Sequence, residues 1–246
     1  MEHKCSEPVD QAFCREPCRK KLQCGHQCTG KCGAPCKACP ACKVAFHKFK
    51  RDAEKRVKDI EAKIKAMAPS TSAFALEELK KSPETLAEFT QVADRCEKYV
   101  QAAHNWKPNI TKITRVMNLA LEVKFEKAKA RAFGPNIDQK FHGTGEAGIE
   151  GITKNGFRMP DHAGMYGRGI YFATDSSKSA RYSTGSNKLL LCDVLLGKSM
   201  VVNQSNGSLT GDYIRQRGFD SVFAPRGTAV LNDEFIIFNP DQALPR

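Results

Sequence analysis

Nine of the 11 cysteines lie between Cys5 and Cys42, and from Cys14 the soft donors follow one another at short steps: Cys14, Cys18, Cys24, His26, Cys28, Cys32, Cys36, Cys39 and Cys42. Zn²⁺ takes four such donors at tetrahedral corners, and steps of two to four residues place pairs of thiolates within one small turn. Gly25, Gly30 and Gly33 let the backbone fold closely around an ion. Eight cysteines and His26 suffice for two four-coordinate Zn²⁺ sites with one donor to spare; the spacing leaves their pairing open. A second chemistry-bearing stretch runs from Phe141 to Tyr182 and concentrates glycine, serine, tyrosine and histidine. Within it Gly143, Gly145 and Gly148 satisfy GxGxxG, with Asp161 beyond. The dinucleotide fingerprint of that form needs a buried apolar strand before it and an acidic residue closing a βαβ unit. Here polar Asp138-Gln139-Lys140 precedes the glycines and Asp161 follows Pro160, so a Rossmann site is excluded.

Three regions must position these residues. Residues 1–43 are cysteine- and turn-rich with almost no large apolar side chains, too little to form a core without a staple. Over 44–107 the pattern is helical. Phe46, Phe49, Ala53, Val57, Ile60, Ile64 and Met67 recur at three- and four-residue steps, and after Pro69 a second face runs from Leu86 to Ala103. Ser82-Pro83-Glu84 reads as the N-cap of that second helix, and a helical hairpin or small bundle is expected. From 108 to 246 strand-like segments (ITKITRVMN, QKFHG, GIYFA, KLLLCDVLL, SMVVN, DSVFA, DEFIIF) alternate with helical ones (LALEVKFEKAKARAF, GEAGIEGITKNG, SSKSARY), which predicts an α+β domain. Cys96 and Cys192 stand alone in apolar patterns and are expected in the core.

The formal net charge is +12, and two Zn²⁺ held by seven thiolates and one imidazole would lower it by three. The chain stays basic, which favours an acidic partner such as nucleic acid. No apolar run approaches the length of a membrane span, and the residues after Met1 lack the apolar core of a secretory signal. An intracellular protein, nuclear or cytoplasmic and without a membrane partner, is expected, and in its reducing compartment the clustered thiols favour metal over disulfides.

The order of several blocks resembles the poly(ADP-ribose) polymerase, or diphtheria-toxin-like ADP-ribosyltransferase, family of the His-Tyr-Glu type. TRVMNLALEVKFEKAK is similar to the opening strand and helix, FHGT to the histidine block, GMYGRGIYFATDSSKSARY to the tyrosine block, and GFDSVFAPRG with NDEFIIFNPDQALP to the glutamate block. The resemblance implies a fold of two mainly antiparallel sheets with flanking helices and an NAD⁺ ADP-ribosyltransferase that releases nicotinamide. It implies a triad of His142, Tyr171 and Glu234. His142 would hold a ribose hydroxyl, Gly143 and Ser179 the nicotinamide carboxamide, and Tyr182 and Tyr171 the two faces of the nicotinamide ring. Glu234 would stabilise the ribosyl oxocarbenium. Polymer synthesis is permitted by that glutamate without being required. The acceptor would be another protein, nucleic acid or the chain itself. Lys178 is a candidate for the acceptor side, and Arg158, Asp161 and His162 fall in the loop expected to cover the donor. Separately, Leu22 to Cys36 resembles zinc fingers of the nuclear transcription factor X-box-binding type. That resemblance implies nucleic-acid binding or a ubiquitin-ligase partnership, with a purely structural knob as the alternative. The competing reading of the whole is a zinc-dependent binding or adaptor protein with a silent NAD fold.

Overall fold

The computed structural model describes residues 17, 18, 20–22, 26–31, 39–68 and 70–246. The chain divides into two compact units, Met1–Phe49 and Lys50–Arg246. In the first, isolated bridges Pro17↔Lys31 and Lys21↔Gln27 fold the described residues back on themselves. Backbone hydrogen bonds from Cys18 to Gly30 (2.8 Å) and from Cys28 to Lys20 (2.9 Å) support that turn.

Helix α1 (Pro40–Ala66) buries Ala53 and Ile60 along its apolar stripe. The segment after it holds more than the expected hairpin turn: strand β1 (Phe74–Glu78) separates α1 from α2 (Leu86–Lys98) and pairs antiparallel with β2 (Thr114–Asn118). The sequence reading missed β1 because one apolar-to-acidic stretch, FALEE, is too short to show a period. Ser82 is not the cap of α2 either. Thr85 holds that position, and the Ser82 hydroxyl donates to Glu84 instead (2.6 Å). Past α2 a single 3₁₀ turn covers Ala102–His104.

Asn118 ends β2 and caps α3 (Leu119–Ala130): its Oδ1 accepts from Leu121 N–H at 3.2 Å. Its amide donates to Thr153 and Lys154 carbonyls at the end of α4 (Glu146–Asn155), at 3.1 and 2.9 Å. One buried amide therefore satisfies backbone groups of two helices. The remaining elements are β3 (Ile137–Gly143), β4 (Ile170–Ala173), α5 (Ser176–Ala180), β5 (Leu189–Leu195), β6 (Ser199–Val201), α6 (Gly211–Gln216), β7 (Ser221–Ala224), β8 (Glu234–Ile237) and β9 (Ala243–Pro245).

Seven strands form one sheet in the order β6-β7-β8-β4-β3-β5-β9, antiparallel except at β6–β7. The two sheets expected are here one continuous sheet, in which β3 and β4 share one residue pair, Phe141↔Ala173, so two half-sheets meet at a narrow junction. One apolar cluster gathers Phe157, Ile170, Phe172, Leu190, Cys192, Val194 and Ile237. The second gathers Tyr166, Leu209, Ile214, Val222, Ala224 and Ile236. Alternation along β4 and β8 sends Ile170, Phe172 and Ile237 into one and leaves Tyr171, Ile236 and Glu234 on the other face. Cys192 is fully buried in the core as expected, whereas Cys96, expected there too, is only half-buried on α2. Among the described residues no helix is long and apolar enough to cross a membrane.

Candidate active site

The junction between the half-sheets is where the sequence-singled residues converge. Glu234 opens β8 with Ala173 of β4 on one side and Ala224 of β7 on the other, both in register. Two alanines beside a glutamate leave its carboxylate room at the sheet surface while the residue itself is 8% exposed. Lys178, on α5, reaches that carboxylate: its Nζ lies 2.9 Å from Oε1. Burial pulls the Lys178 ammonium down, but the hydrogen bond to Glu234 and its charge outweigh this and leave Lys178 above the ordinary lysine range. The same ammonium sits 3.5 Å from the Tyr182 hydroxyl and over its ring.

His142 is half-buried in β3, edge-on to Phe157 and tilted against Phe172. Its Nδ1 is 2.9 Å from the Tyr171 carbonyl, which accepts, so Nδ1 carries the hydrogen and Nε2 presents a lone pair. Loss of solvent pushes the imidazole below its ordinary range, against the smaller pull of the Tyr171 carbonyl, and keeps it neutral at pH 7.

The Tyr171 phenol is held from both sides. It donates to the Gly167 carbonyl and accepts from the Tyr166 N–H, each at 2.9 Å. Burial first, then the charge of Glu234, push its pKa up to about 12, against the Tyr166 N–H. Gly164 and Gly167 exchange backbone hydrogen bonds, and Gly167 adopts φ +87°, open to glycine at little cost. A Cβ on Gly164 would come within 2.6 Å of the Tyr171 hydroxyl oxygen. The turn 164–167 is thus shaped around this phenol.

Tyr166, in the same turn, is fully buried, yet its own hydroxyl has no partner among the described residues. An unsatisfied buried hydroxyl costs about 1–3 kcal/mol, so Tyr166→Phe is expected to raise Tm by roughly 2–12 °C. Differential scanning calorimetry reads this directly; a fall in Tm would mean the hydroxyl is satisfied in solution.

Gly143 ends β3 with the backbone of α5 laid against it. A Cβ there would overlap the Ser179 carbonyl oxygen and lie 2.8 Å from its carbonyl carbon. The Ser179 hydroxyl donates to the Phe141 carbonyl at 3.0 Å. With its hydrogen so committed, it offers lone pairs to a ligand. Tyr182 closes this cluster with 59% of its surface exposed, a flat ring free on one side. Arg158, Asp161 and His162 are all exposed.

In the first unit, donor atoms of His26, Cys39 and Cys42 lie within 4.8 Å of one another. The thiol of Cys42 is 3.5 Å from His26 Nδ1, and the sulfurs of Cys28 and Cys39 accept from the N–H groups of Gly30 and Cys42. Three soft donors converging with N–H groups aimed at sulfur suit Zn²⁺. Cys18 and Cys28 are buried as well. The calls on Cys14, Cys24, Cys32 and Cys36 fall outside the described residues.

What the sequence reading left open was the partner of Glu234. Lys178 lies one residue before Ser179 and four before Tyr182 in SKSARY, and that helical spacing is the signal that it shares their face.

The family model of the poly(ADP-ribose) polymerase catalytic domain matches residues 86–223, a span that includes His142, Tyr171, Ser179 and Tyr182 and stops short of Glu234. Protein mono-ADP-ribosyltransferase PARP4 of Homo sapiens is 32% identical over 127 residues, covering 44% of this chain and 7% of its own length. Protein mono-ADP-ribosyltransferase PARP3 of Homo sapiens is 39% identical over 92 residues, covering 34% of this chain and 17% of its own length. Poly [ADP-ribose] polymerase tankyrase of Caenorhabditis elegans is 26% identical over 202 residues, 64% of this chain and 9% of its own length. The chain thus spans a small part of the length of each of these three relatives.

Proposed function

The chain belongs to the poly(ADP-ribose) polymerase catalytic domain family, and from that premise we propose that it is an NAD⁺-dependent ADP-ribosyltransferase. The observation that carries this reading is the convergence of neutral His142, anchored Tyr171 and the Lys178–Glu234 pair around the junction of the two half-sheets.

In the reaction the bond between nicotinamide nitrogen and ribose C1′ breaks, its electron pair leaves with the nicotinamide, and positive charge develops on the ribose. A nucleophilic acceptor then bonds to C1′ and loses its proton. Glu234 would hydrogen-bond the ribose and offset the developing charge. His142, with its Nε2 lone pair, would accept from a hydroxyl of the adenosine-side ribose. The backbone at Gly143 and the Ser179 hydroxyl oxygen would hold the carboxamide, while Tyr182 and Tyr171 flank the ring. The sterically closed contact of Gly143 with α5 supports this, since it places a flat, side-chain-free wall beside the exposed Tyr182 ring.

The acceptor is a protein, nucleic acid or the chain itself. Glu234 permits repeated transfer, and the names of the relatives divide between mono-ADP-ribosyltransferase and polymerase. Incubation with NAD⁺ followed by intact-protein mass spectrometry separates these outcomes. Discrete single ADP-ribose additions mean mono-transfer and a ladder means polymer. Neither adduct nor released nicotinamide, with protein and nucleic-acid acceptors supplied, would sink the enzyme in favour of a binding protein with a silent NAD fold.

The cysteine-rich unit is proposed to hold two Zn²⁺, with His26, Cys39 and Cys42 sharing one, and to serve nucleic-acid binding. Native mass spectrometry is expected to find two Zn²⁺ per chain and one after His26→Ala. A metal-free native protein would refute the site.

A further inference from the structure

The 3₁₀ turn that follows α2 makes a set of contacts with the active-site elements that the reaction scheme does not use. His104 Nδ1 lies 2.8 Å from the Ser177 hydroxyl, next in sequence to Lys178. Its other nitrogen, Nε2, lies 3.4 Å from the Asn232 amide nitrogen, two residues before Glu234. Ser177 and Asn232 are 1% and 6% exposed, so these polar groups have little access to solvent. Around the bridge, the Gln101 N–H donates to the same Ser177 oxygen and the Gln101 amide donates to Asp175, both at 2.9 Å. Arg226, on the loop leading to β8, donates to Gln101 Oε1 at 3.3 Å. The Ser176 N–H donates to the Tyr99 carbonyl at 2.9 Å and its hydroxyl to the Cys96 carbonyl at 2.6 Å.

We propose that His104 is a positioning residue for ADP-ribose transfer: one imidazole joins the helix that carries Lys178 to the segment that delivers Glu234, and so sets the geometry of the Lys178–Glu234 pair. The kinetic consequence rests on the transferase reading; the bridge itself does not.

Chemistry fixes the state in which the bridge works. The Asn232 Nδ2 is a donor, so Nε2 must accept and carry no hydrogen. Nδ1 then carries it and donates to Ser177 Oγ, which already accepts from Gln101. That is the neutral ring. Loss of solvent, then Arg181 and Lys178, push His104 below its ordinary range, while Asp175 pulls the other way. Neither Ser177 nor Asn232 touches the carboxylate, so their influence passes through Lys178 and Glu234 alone. Because catalytic groups displaced by a fraction of an ångström lose much of their effect, a lost bridge shows in turnover before it shows in donor binding.

The test compares nicotinamide release by wild type, His104→Ala, Ser177→Ala and the double variant over a range of NAD⁺, with ¹⁵N NMR of the wild-type imidazoles. Ser177→Ala removes one hydroxyl and almost no volume, so a variant that keeps the packing accompanies the larger truncation. Each single variant is expected to lose about ten-fold in kcat with KM for NAD⁺ moved by less than about two-fold. The double variant is expected to lose no more than either alone, as for two ends of one contact. At pH 7 the His104 ring should show Nδ1 protonated and Nε2 bare. Unchanged kcat, additive losses, or a ring protonated at Nε2 overturns the proposal. A wild type that releases no nicotinamide removes the transferase reading, and the NMR tautomer still decides the bridge.

Discussion

Glu234→Gln is expected to cut ADP-ribose transfer by about 10²–10³-fold in kcat while leaving KM for NAD⁺ within a few-fold, because the charge it removes is used only as the ribose becomes cationic. The substitution conserves shape, and shape is what the surrounding sheet demands: Ala173 and Ala224 flank the position in register and accept a glutamine as readily as a glutamate. The loss therefore reports charge and not packing. Lys178 sharpens the prediction. Its ammonium is 2.9 Å from the carboxylate and half-committed to Tyr182 at 3.5 Å. With glutamine opposite, that ammonium loses its counter-ion and sits beside a developing cation, which adds to the barrier. Lys178→Met is thus expected to cost less than Glu234→Gln, and less still in the Glu234→Gln background, where there is no carboxylate left to position. Steady-state nicotinamide release with calorimetric NAD⁺ titration checks both. Equal loss of binding and turnover in Glu234→Gln would assign Glu234 to holding the donor, not to the transition state.

How far the sequence reached depended on where the information resides. Long periodic stretches were legible: α1 follows its stripe to within a turn, and the strands from QKFHG to DEFIIF fall where alternation and β-branched residues put them. Strand β1 was not, since five residues show no period and its existence depends on pairing with β2, a partner some 40 residues away. α6 and β9 escaped for the same reason: six and three residues are too few. Within the site, residue types in the His142, Tyr171 and Tyr182 blocks identified the constituents. The hydrogen-bond direction of Ser179, the Lys178–Glu234 pair and the His104 bridge are facts of three-dimensional placement. Ser179 and Phe141 lie on different elements 38 positions apart, and no local pattern announces that the hydroxyl donates to that carbonyl. The family model likewise ends at residue 223, so the place of Glu234 in the site rests on the register of β8 between β4 and β7.

Gly143→Ala is the second large effect, and it separates the wall of the donor site from its charges. The position needs no unusual backbone angle; what it lacks is space, because the added methyl overlaps the Ser179 carbonyl oxygen. That oxygen belongs to α5 and also accepts the Tyr182 N–H at 3.0 Å. Relieving the clash must therefore push α5, and with it Ser179, Lys178 and Tyr182, away from β3. Overpacking of this kind costs about 1–3 kcal/mol in stability, and a displaced donor site is expected to raise KM for NAD⁺ by at least about ten-fold while turnover at saturation also falls. Gly151→Ala is the matched control. It lies inside α4 with nothing within 4 Å of the added carbon, and alanine in a helix interior gains up to about 1 kcal/mol over glycine. The same chemical change is thus expected to raise Tm at 151 with kinetics unchanged, and to lower Tm and weaken NAD⁺ binding at 143. If Gly143→Ala bound NAD⁺ as tightly as wild type, the nicotinamide would have to lie elsewhere than against the β3–α5 contact. Tyr182, exposed and faced by the Lys178 ammonium, would then lose its reason for being open.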